Sequence, residues 1–186
     1  MRIILASQSA SRKVAMDLLG IDYEVIPSGF DEKSIRDDNA HLLVEKLSIA
    51  KAKHVGASEK GLIVSGDLFV VHEGEFMEKP ESKEEGVEMI RRLSGKTFEI
   101  VSGVCVHYSE KDVTRSSAEV CKIKFRDLSE DEIKRYVDVY PVTDFAAAFE
   151  GDAMLLFTES VEGSYNFNGF TVSKLVVFLR EMGVNV

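Results

Sequence analysis

The chain has 186 residues, 45% of them apolar and 30% charged, and carries a formal charge of −9 at pH 7. That length and balance suit a single soluble domain over residues 1–186, with enough chain to bury a core unaided. The acidic excess argues against a general nucleic-acid binder or a protein of anionic membrane surfaces, yet leaves room for a small anion held by a few local cations. No apolar run approaches a membrane span and the first is too short for a signal peptide, so a cytoplasmic location is expected.

In chain order, residues 2–6 read as a buried strand that breaks into Ser7, Gln8, Ser9 and Ser11. Arg12 and Lys13 then open a helix over 10–19, with Val14, Leu18 and Leu19 expected inward and Gly20 as its stop. A strand, a small-residue turn and a cation-bearing helix N-terminus together suit an anion. The first helical amides have no internal partner, the helix dipole adds positive charge, and hydroxyls and an arginine add charge-assisted bonds. The plainer alternative is an ordinary turn with Ser9 as N-cap.

Asp22 to Ile26 alternates as a strand, and Ser28 to Asn39 is a polar loop. Leu42 to Val55 has helical period through Leu42, Leu43, Leu47, Ala50 and His54. Leu62 to Val64 reads as a buried strand running into Ser65-Gly66-Asp67. A turn at His72 to Glu75 sends Phe76 to Lys79 back as a hairpin. Ser82 to Leu93 and Ser129 to Val139 are helices with capping-box starts, at Ser82/Glu85 and Ser129/Glu132. Lys96 to Tyr108 and Val113 to Phe125 form a long hairpin. Met154 to Thr158 is an apolar strand, and Thr171 to Met182 an amphipathic helix with Val172, Leu175, Val176 and Leu179 inward. The long hairpins break a strict βαβ alternation, so the class is α/β with a mixed sheet. Cys105 and Cys121 read as buried reduced thiols, and His41, His54, His72 and His107 show no zinc spacing with them.

Asp67 follows an apolar strand and a glycine, which places it at the strand's carboxyl end, where open α/β sheets bind ligands. A carboxylate there can ligate Mg²⁺ or take a proton from water; it can also be a turn aspartate bonding its own backbone. Asp31 and Glu32 pair two carboxylates in a polar loop, a hard-cation motif or a solvated face. Lys51, Lys53 and Lys79 can each reach a phosphate as a mobile point charge, or be surface lysines.

Taken together, the segments Leu5-Ala-Ser-Gln-Ser-Ala-Ser-Arg-Lys13, Phe30-Asp-Glu-Lys33, Ala50-Lys-Ala-Lys53, Ser65-Gly-Asp67, Glu78-Lys-Pro80, Ile90-Arg-Arg-Leu-Ser-Gly95 and Leu128 to Tyr136 resemble the Maf family of nucleoside triphosphate pyrophosphatases, related in fold to the inosine triphosphate pyrophosphatases. Gly163 to Lys174 matches more weakly. The resemblance implies a twisted, elongated mixed sheet flanked by helices, with two lobes around a central cleft. It implies Asp67 as proton acceptor with metal contact, Ser7, Ser9 and Arg12 on the triphosphate, Lys51 and Lys79 facing the phosphates, and Asp31 and Glu32 beside Asp67 at a Mg²⁺ or Mn²⁺ ion. Ser11, Leu68 and Glu150 fall at the positions that choose the base.

This chain departs from the family pattern at those positions. The family turn reads Ser-Pro-Arg-Arg or Ser-Pro-Trp-Arg where this chain has Ser9-Ala10-Ser11-Arg12, and Thr or Gln follows the aspartate where this chain has Leu68. Glu150 leans toward the subgroup acting on modified guanine nucleotides. The implied reaction is cleavage between the α- and β-phosphates of a nucleoside triphosphate, canonical or modified, with a house-cleaning role and a homodimer both compatible with the family. A competing reading is a nucleotide-binding regulator of septum formation or cell division with little turnover, as the family's older name suggests. A third is a phosphatase for inosine or xanthosine triphosphate. Asp67, Asp31 and Glu32 occurring together favour the enzyme, since a pure binder has no need of carboxylates near phosphates.

Overall fold

The structure, a computed structural model, describes residues 1–164 and 169–186. In chain order the elements are β1 (Ile3–Leu5), α1 (Ala10–Asp17), β2 (Glu24–Val25), a 3₁₀ turn (Glu32–Ser34), α2 (Ala40–Gly56), β3 (Leu62–His72), β4 (Glu75–Met77), α3 (Lys83–Leu93), β5 (Thr97–Tyr108), β6 (Val113–Phe125), α4 (Glu130–Val139), 3₁₀ turns at Val142–Asp144, Ala146–Ala148 and Gly151–Leu156, β7 (Thr158–Gly163) and α5 (Val172–Glu181). Among the described residues the strands form one seven-stranded mixed sheet in the order β2-β1-β3-β5-β6-β7, with β4 paired to β3. The expected α/β class with a mixed sheet flanked by helices is what the chain adopts.

The chain divides into two compact units. The first takes Met1–Leu68, Val101–Glu119 and the C-terminal segment through Val186; the second takes Phe69–Ile100 and Val120–Ser164.

In the first unit, β1 lies parallel to β2 and β3, pairing Ile3 with Leu62, Ile4 with Ile63 and Leu5 with Val64. Successive residues point to opposite faces. Ile3 and Leu5 therefore join Val64, Val104, Ala15, Met16, Leu175 and Leu179 on one face. Ile4 and Ala6 join Ile63, Cys105, Ala52 and Val55 on the other. Both faces of β1 are buried, which explains its unbroken apolar run.

The second unit is built around aromatic rings. Phe98 meets Phe125 edge-on at 4.8 Å between centroids and stacks on Phe149 at 5.6 Å, and Tyr136 packs on Phe157 at 4.8 Å. The β3–β4 turn puts Glu73 and Gly74 at φ +52° and +84°, the two left-handed positions of a tight hairpin.

Five local expectations are corrected. Val14 and Leu18 are exposed, at 51% and 67%, while Ala15 and Met16 are buried. The phase of α1 is set by the face bearing Arg12, Ala15, Met16 and Leu19, spaced i, i+3, i+4 and i+7. On α2, Leu42 and His54 likewise face outward, and Ser48 and Lys51 face in. At Ser82/Glu85 half of the expected box forms: the Ser82 hydroxyl accepts from the Glu85 amide, but the Glu85 carboxylate turns to the Glu81 amide. The apolar run at 154–158 is a 3₁₀ turn ending at Leu156, and the strand starts at Thr158. There Met154 and Phe157 bury in the core while Leu155 and Leu156 stay exposed, a spacing of three rather than two. Finally, β3 runs on through Asp67 to His72, so Asp67 is mid-strand. Of the segment Gly163 to Lys174, residues 165–168 lie outside the described residues.

Candidate functional site

Although β3 continues, its parallel neighbour does not. β1 ends at Leu5, the Ala6 amide makes a last bond to the Val64 carbonyl at 2.7 Å, and the chain turns away at Ser7. Asp67 thus lies past the carboxyl end of β1, where the next side chains come from the turn and α1. The strand whose carboxyl end lies before Asp67 is thus its neighbour β1, not its own β3.

Alternation along β3 sends Ile63, Ser65 and Asp67 toward α2. Asp67 is 8% exposed and Lys51 5%. The Lys51 ammonium donates to Asp67 Oδ1 at 3.0 Å and meets Glu32 Oε1 at 2.7 Å. Arg12 Nη2 stands 3.8 Å from the same Asp67 Oδ1. Among the described residues Asp67 Oδ2 is buried and has no hydrogen-bond partner. A buried carboxylate oxygen without a protein partner is costly and calls for an explanation.

Arg12 ties this carboxylate to the turn. Its Nη1 donates to Ser7 Oγ at 3.1 Å and its Nε to the Gly169 carbonyl at 3.2 Å. Ser7 Oγ also accepts from the Ser9 amide at 3.2 Å. Both bonds use Ser7 Oγ as acceptor, which leaves its O–H as a hydrogen-bond donor. Ser9 caps α1 through its hydroxyl, accepting from the Arg12 amide. The ordinary N-cap reading is thus what the turn shows, and it leaves the Ala10 and Ser11 amides at the start of the helix. Burial pushes the Arg12 guanidinium below its ordinary value, opposed by the charges of Asp67 and then Glu32. An arginine remains protonated throughout.

Two glycines give Arg12 its path. A Cβ on Gly66 would sit 2.7 Å from the Gly103 carbonyl, 2.9 Å from the Phe170 ring and 3.3 Å from Arg12 Nε. One on Gly169, whose φ is +84°, would sit 2.8 Å from Arg12 Cγ. Sequence reasoning missed both glycines as parts of the site. Their adjacency to Asp67 and Phe170 was the available signal, but a glycine in a strand or loop has too many other uses to stand out.

Glu32 and Asp31 separate. The 3₁₀ turn aims Glu32 at Lys51, and Phe30 packs edge-on against His54 of α2 at 5.8 Å. Asp31 instead caps the turn, accepting from the Lys33 amide at 3.1 Å, which turns its carboxylate to its own backbone. Among the described residues no three His, Cys, Asp or Glu side chains gather as a metal cluster. Ser11 and Leu68 are half-buried in this unit.

In the second unit, Lys79 is exposed in the loop after β4, and the Glu150 amide donates to the Tyr136 hydroxyl at 2.9 Å. The Ala147 amide donates to the Glu78 carbonyl at 3.0 Å, so the loop carrying Lys79 is pinned to the turn leading to Glu150. Ala147 and Ala148 are both buried and left-handed, at φ +53° and +65°, where L-residues are strained. Burial pushes the Tyr136 hydroxyl above the ordinary tyrosine value.

Comparison with known proteins bears on family and fold. A dTTP/UTP pyrophosphatase of Clostridium tetani is 34% identical over 193 aligned positions, covering 100% of both chains. One of Thermotoga maritima is 38% identical over 189 positions, covering 98% of this chain and 90% of its own. Among solved structures, the Staphylococcus aureus Ham1 protein superposes with a TM-score of 0.56 at 14% identity, over 98% of this chain and 100% of that one. A HAM1 protein from Coxiella burnetii gives 0.54 at 16%, over 97% and 99%. At those identities the structures speak to fold alone. The family model described as Maf-like protein matches residues 2–182, which with the full-length relatives is decisive: the chain belongs to the Maf family.

Proposed function

We propose that this protein hydrolyses a nucleoside triphosphate between its α- and β-phosphates, releasing the monophosphate and pyrophosphate. The observation that carries the proposal is the Asp67 carboxylate, held at Oδ1 by Lys51 with Arg12 close by, its Oδ2 without a partner among the described residues. The family's relatives bear pyrophosphatase names, which supports turnover over a binding-only regulator.

In this account the triphosphate meets the N-terminus of α1. The first-turn amides, the Ser7 hydroxyl and the Arg12 guanidinium supply donors to phosphate oxygens. Lys51 adds a positive charge and holds the Asp67 carboxylate in one orientation. Asp67 Oδ2 then takes a proton from the attacking water, whose oxygen attacks phosphorus as the bond to the leaving pyrophosphate breaks. Lys79 is assigned to the phosphates on the family pattern.

A divalent cation fits the side chains present. Arg12 and Lys51 are balanced by Asp67 and Glu32, so these four side chains alone offer a polyanion no surplus of positive charge. Mg²⁺ is commonly held by one or two carboxylates with phosphate oxygens completing its shell. Asp67 and Glu32 would hold it here; Asp31, committed to its own turn, would not. When bound, the ion would offset charge developing on the phosphate oxygens.

Ser11, Leu68 and Glu150 are assigned to base choice. The relatives' names favour a pyrimidine over the modified guanine to which Glu150 alone leans. A homodimer in the cytoplasm completes the proposal; light scattering would give twice the 20.7 kDa chain mass. The test of function is pyrophosphate release from a panel of pyrimidine, purine and modified triphosphates with and without Mg²⁺. Metal-dependent release from one or two supports the proposal, and binding without release from any defeats it.

A further inference from the structure

We infer that Ser65 is a positioning residue for the Lys51–Asp67 pair, fixing α2 against β3 so that the ammonium reaches the carboxylate. Ser65 and Asp67 are two residues apart on β3 and project to the same face. The Ser65 hydroxyl donates to the Ser48 backbone carbonyl of α2 at 2.5 Å, and both residues are 0% exposed. Ser48 stands three residues before Lys51, on the same side of the helix. The Ser48 hydroxyl is turned back to the Val44 carbonyl at 2.7 Å, so the polar tie to β3 comes from Ser65.

The surroundings explain why one hydroxyl sets the register. Next to this tie, α2 rests on Gly103 of β5, where a Cβ would sit 2.5 Å from Ser48 Oγ and 2.6 Å from the Val44 carbonyl. Below it, Ala52 and Val55 meet Ile63 through apolar contacts, which tolerate sliding better than a hydrogen bond does. Helical side chains lean toward the helix N-terminus, so Lys51 reaches back past Ser48 to Asp67. A slide of about 1 Å would take the 3.0 Å contact out of hydrogen-bonding range, and displacements of that size cost up to about a hundredfold in rate.

The inference rests on the proposed hydrolysis, and its test separates the two. Steady-state rates are measured for wild type, Ser65→Ala, Ser65→Thr, Ser65→Val, Lys51→Ala and the Ser65→Ala/Lys51→Ala pair, with thermal unfolding of each. Ser65→Ala should lower kcat about tenfold, the middle of the range for a shift below 1 Å. Ser65→Thr should retain more activity than Ser65→Val, which has the same shape without the hydroxyl. In the Lys51→Ala background, Ser65→Ala should cost less than about twofold, because its effect passes through the missing lysine. Equal losses in both backgrounds, equal activity of the Thr and Val variants, or full activity of Ser65→Ala would overturn the inference. An inactive wild-type protein would instead defeat the proposed function.

Discussion

Replacing Lys51 with Met should destabilise the protein more than replacing Asp67 with Asn, and combining the two should recover stability. Lys51 and Asp67 are 5% and 8% exposed, so either loss strands a buried charge. At an effective dielectric of 20, the 3.0 Å contact to Lys51 corresponds to about 5.5 kcal/mol of attraction and the 3.8 Å contact to Arg12 to about 4.4 kcal/mol. Desolvation opposes both terms by several kcal/mol per ion, and breaking a buried pair from one side costs about 3–5 kcal/mol net. Arg12 remains beside Asp67 in Lys51→Met, which places the cost near 3 kcal/mol. Asp67→Asn leaves Lys51 with Glu32 at 2.7 Å and Arg12 with the Ser7 hydroxyl and the Gly169 carbonyl, and should cost about 1–2 kcal/mol. For a chain of this length the first corresponds to a fall in Tm of about 6–12 °C. Urea unfolding at pH 7 would measure both, with calorimetry as a check. Lys51→Met within about 1 kcal/mol of wild type, or a double variant no more stable than Lys51→Met, would refute the reasoning.

Asp67→Asn should lower kcat by about a hundredfold or more while a non-hydrolysable triphosphate still binds, as read by calorimetric titration beside the kinetics. Ser9→Ala should cost about 1 kcal/mol through the lost cap of α1 and raise KM, which unfolding and initial rates together would show. Glu132 pairs with Arg126 at 2.7 Å and completes the capping box of α4 with Ser129, and these bonds, the Arg126 one foremost, hold its carboxyl at about 2, below the ordinary 4.5. Its contribution is therefore complete above about pH 4.5 and lost as pH falls toward 2. Glu132→Gln should be less stable than wild type at pH 7, with the two unfolding curves converging by pH 2. Burial pushes the Cys105 and Cys121 thiols up to about 12 and 11. Both should resist a thiol reagent at pH 8 in the native protein and react on denaturation.

What the sequence disclosed and what it concealed have physical causes. The turn from Ser7 to Arg12 stood out because a strand end and a helix start impose their chemistry locally; Asp67 drew notice from the apolar run and glycine before it and Lys51 from the family pattern, although the first is mid-strand and the second mid-helix. The inward faces of α1 and α2 were not legible, because Arg12 and Lys51 point into the protein and carry the helix phase with them. Apolar periodicity, which assumes polar residues face out, then chose Val14, Leu18 and Leu42 instead. Asp31 and Glu32 looked equivalent until a 3₁₀ turn took one as its cap and aimed the other at Lys51. The roles of Gly66, Gly169 and Ser65 depend on contacts distant in sequence, which no local pattern encodes.

The most direct test of the central claim is product analysis of wild-type turnover of UTP and dTTP with Mg²⁺. The account predicts nucleoside monophosphate and pyrophosphate in equal amounts, formed about a hundredfold or more slowly by Asp67→Asn. Nucleoside diphosphate with orthophosphate, or monophosphate formation that survives Asp67→Asn undiminished, would contradict it.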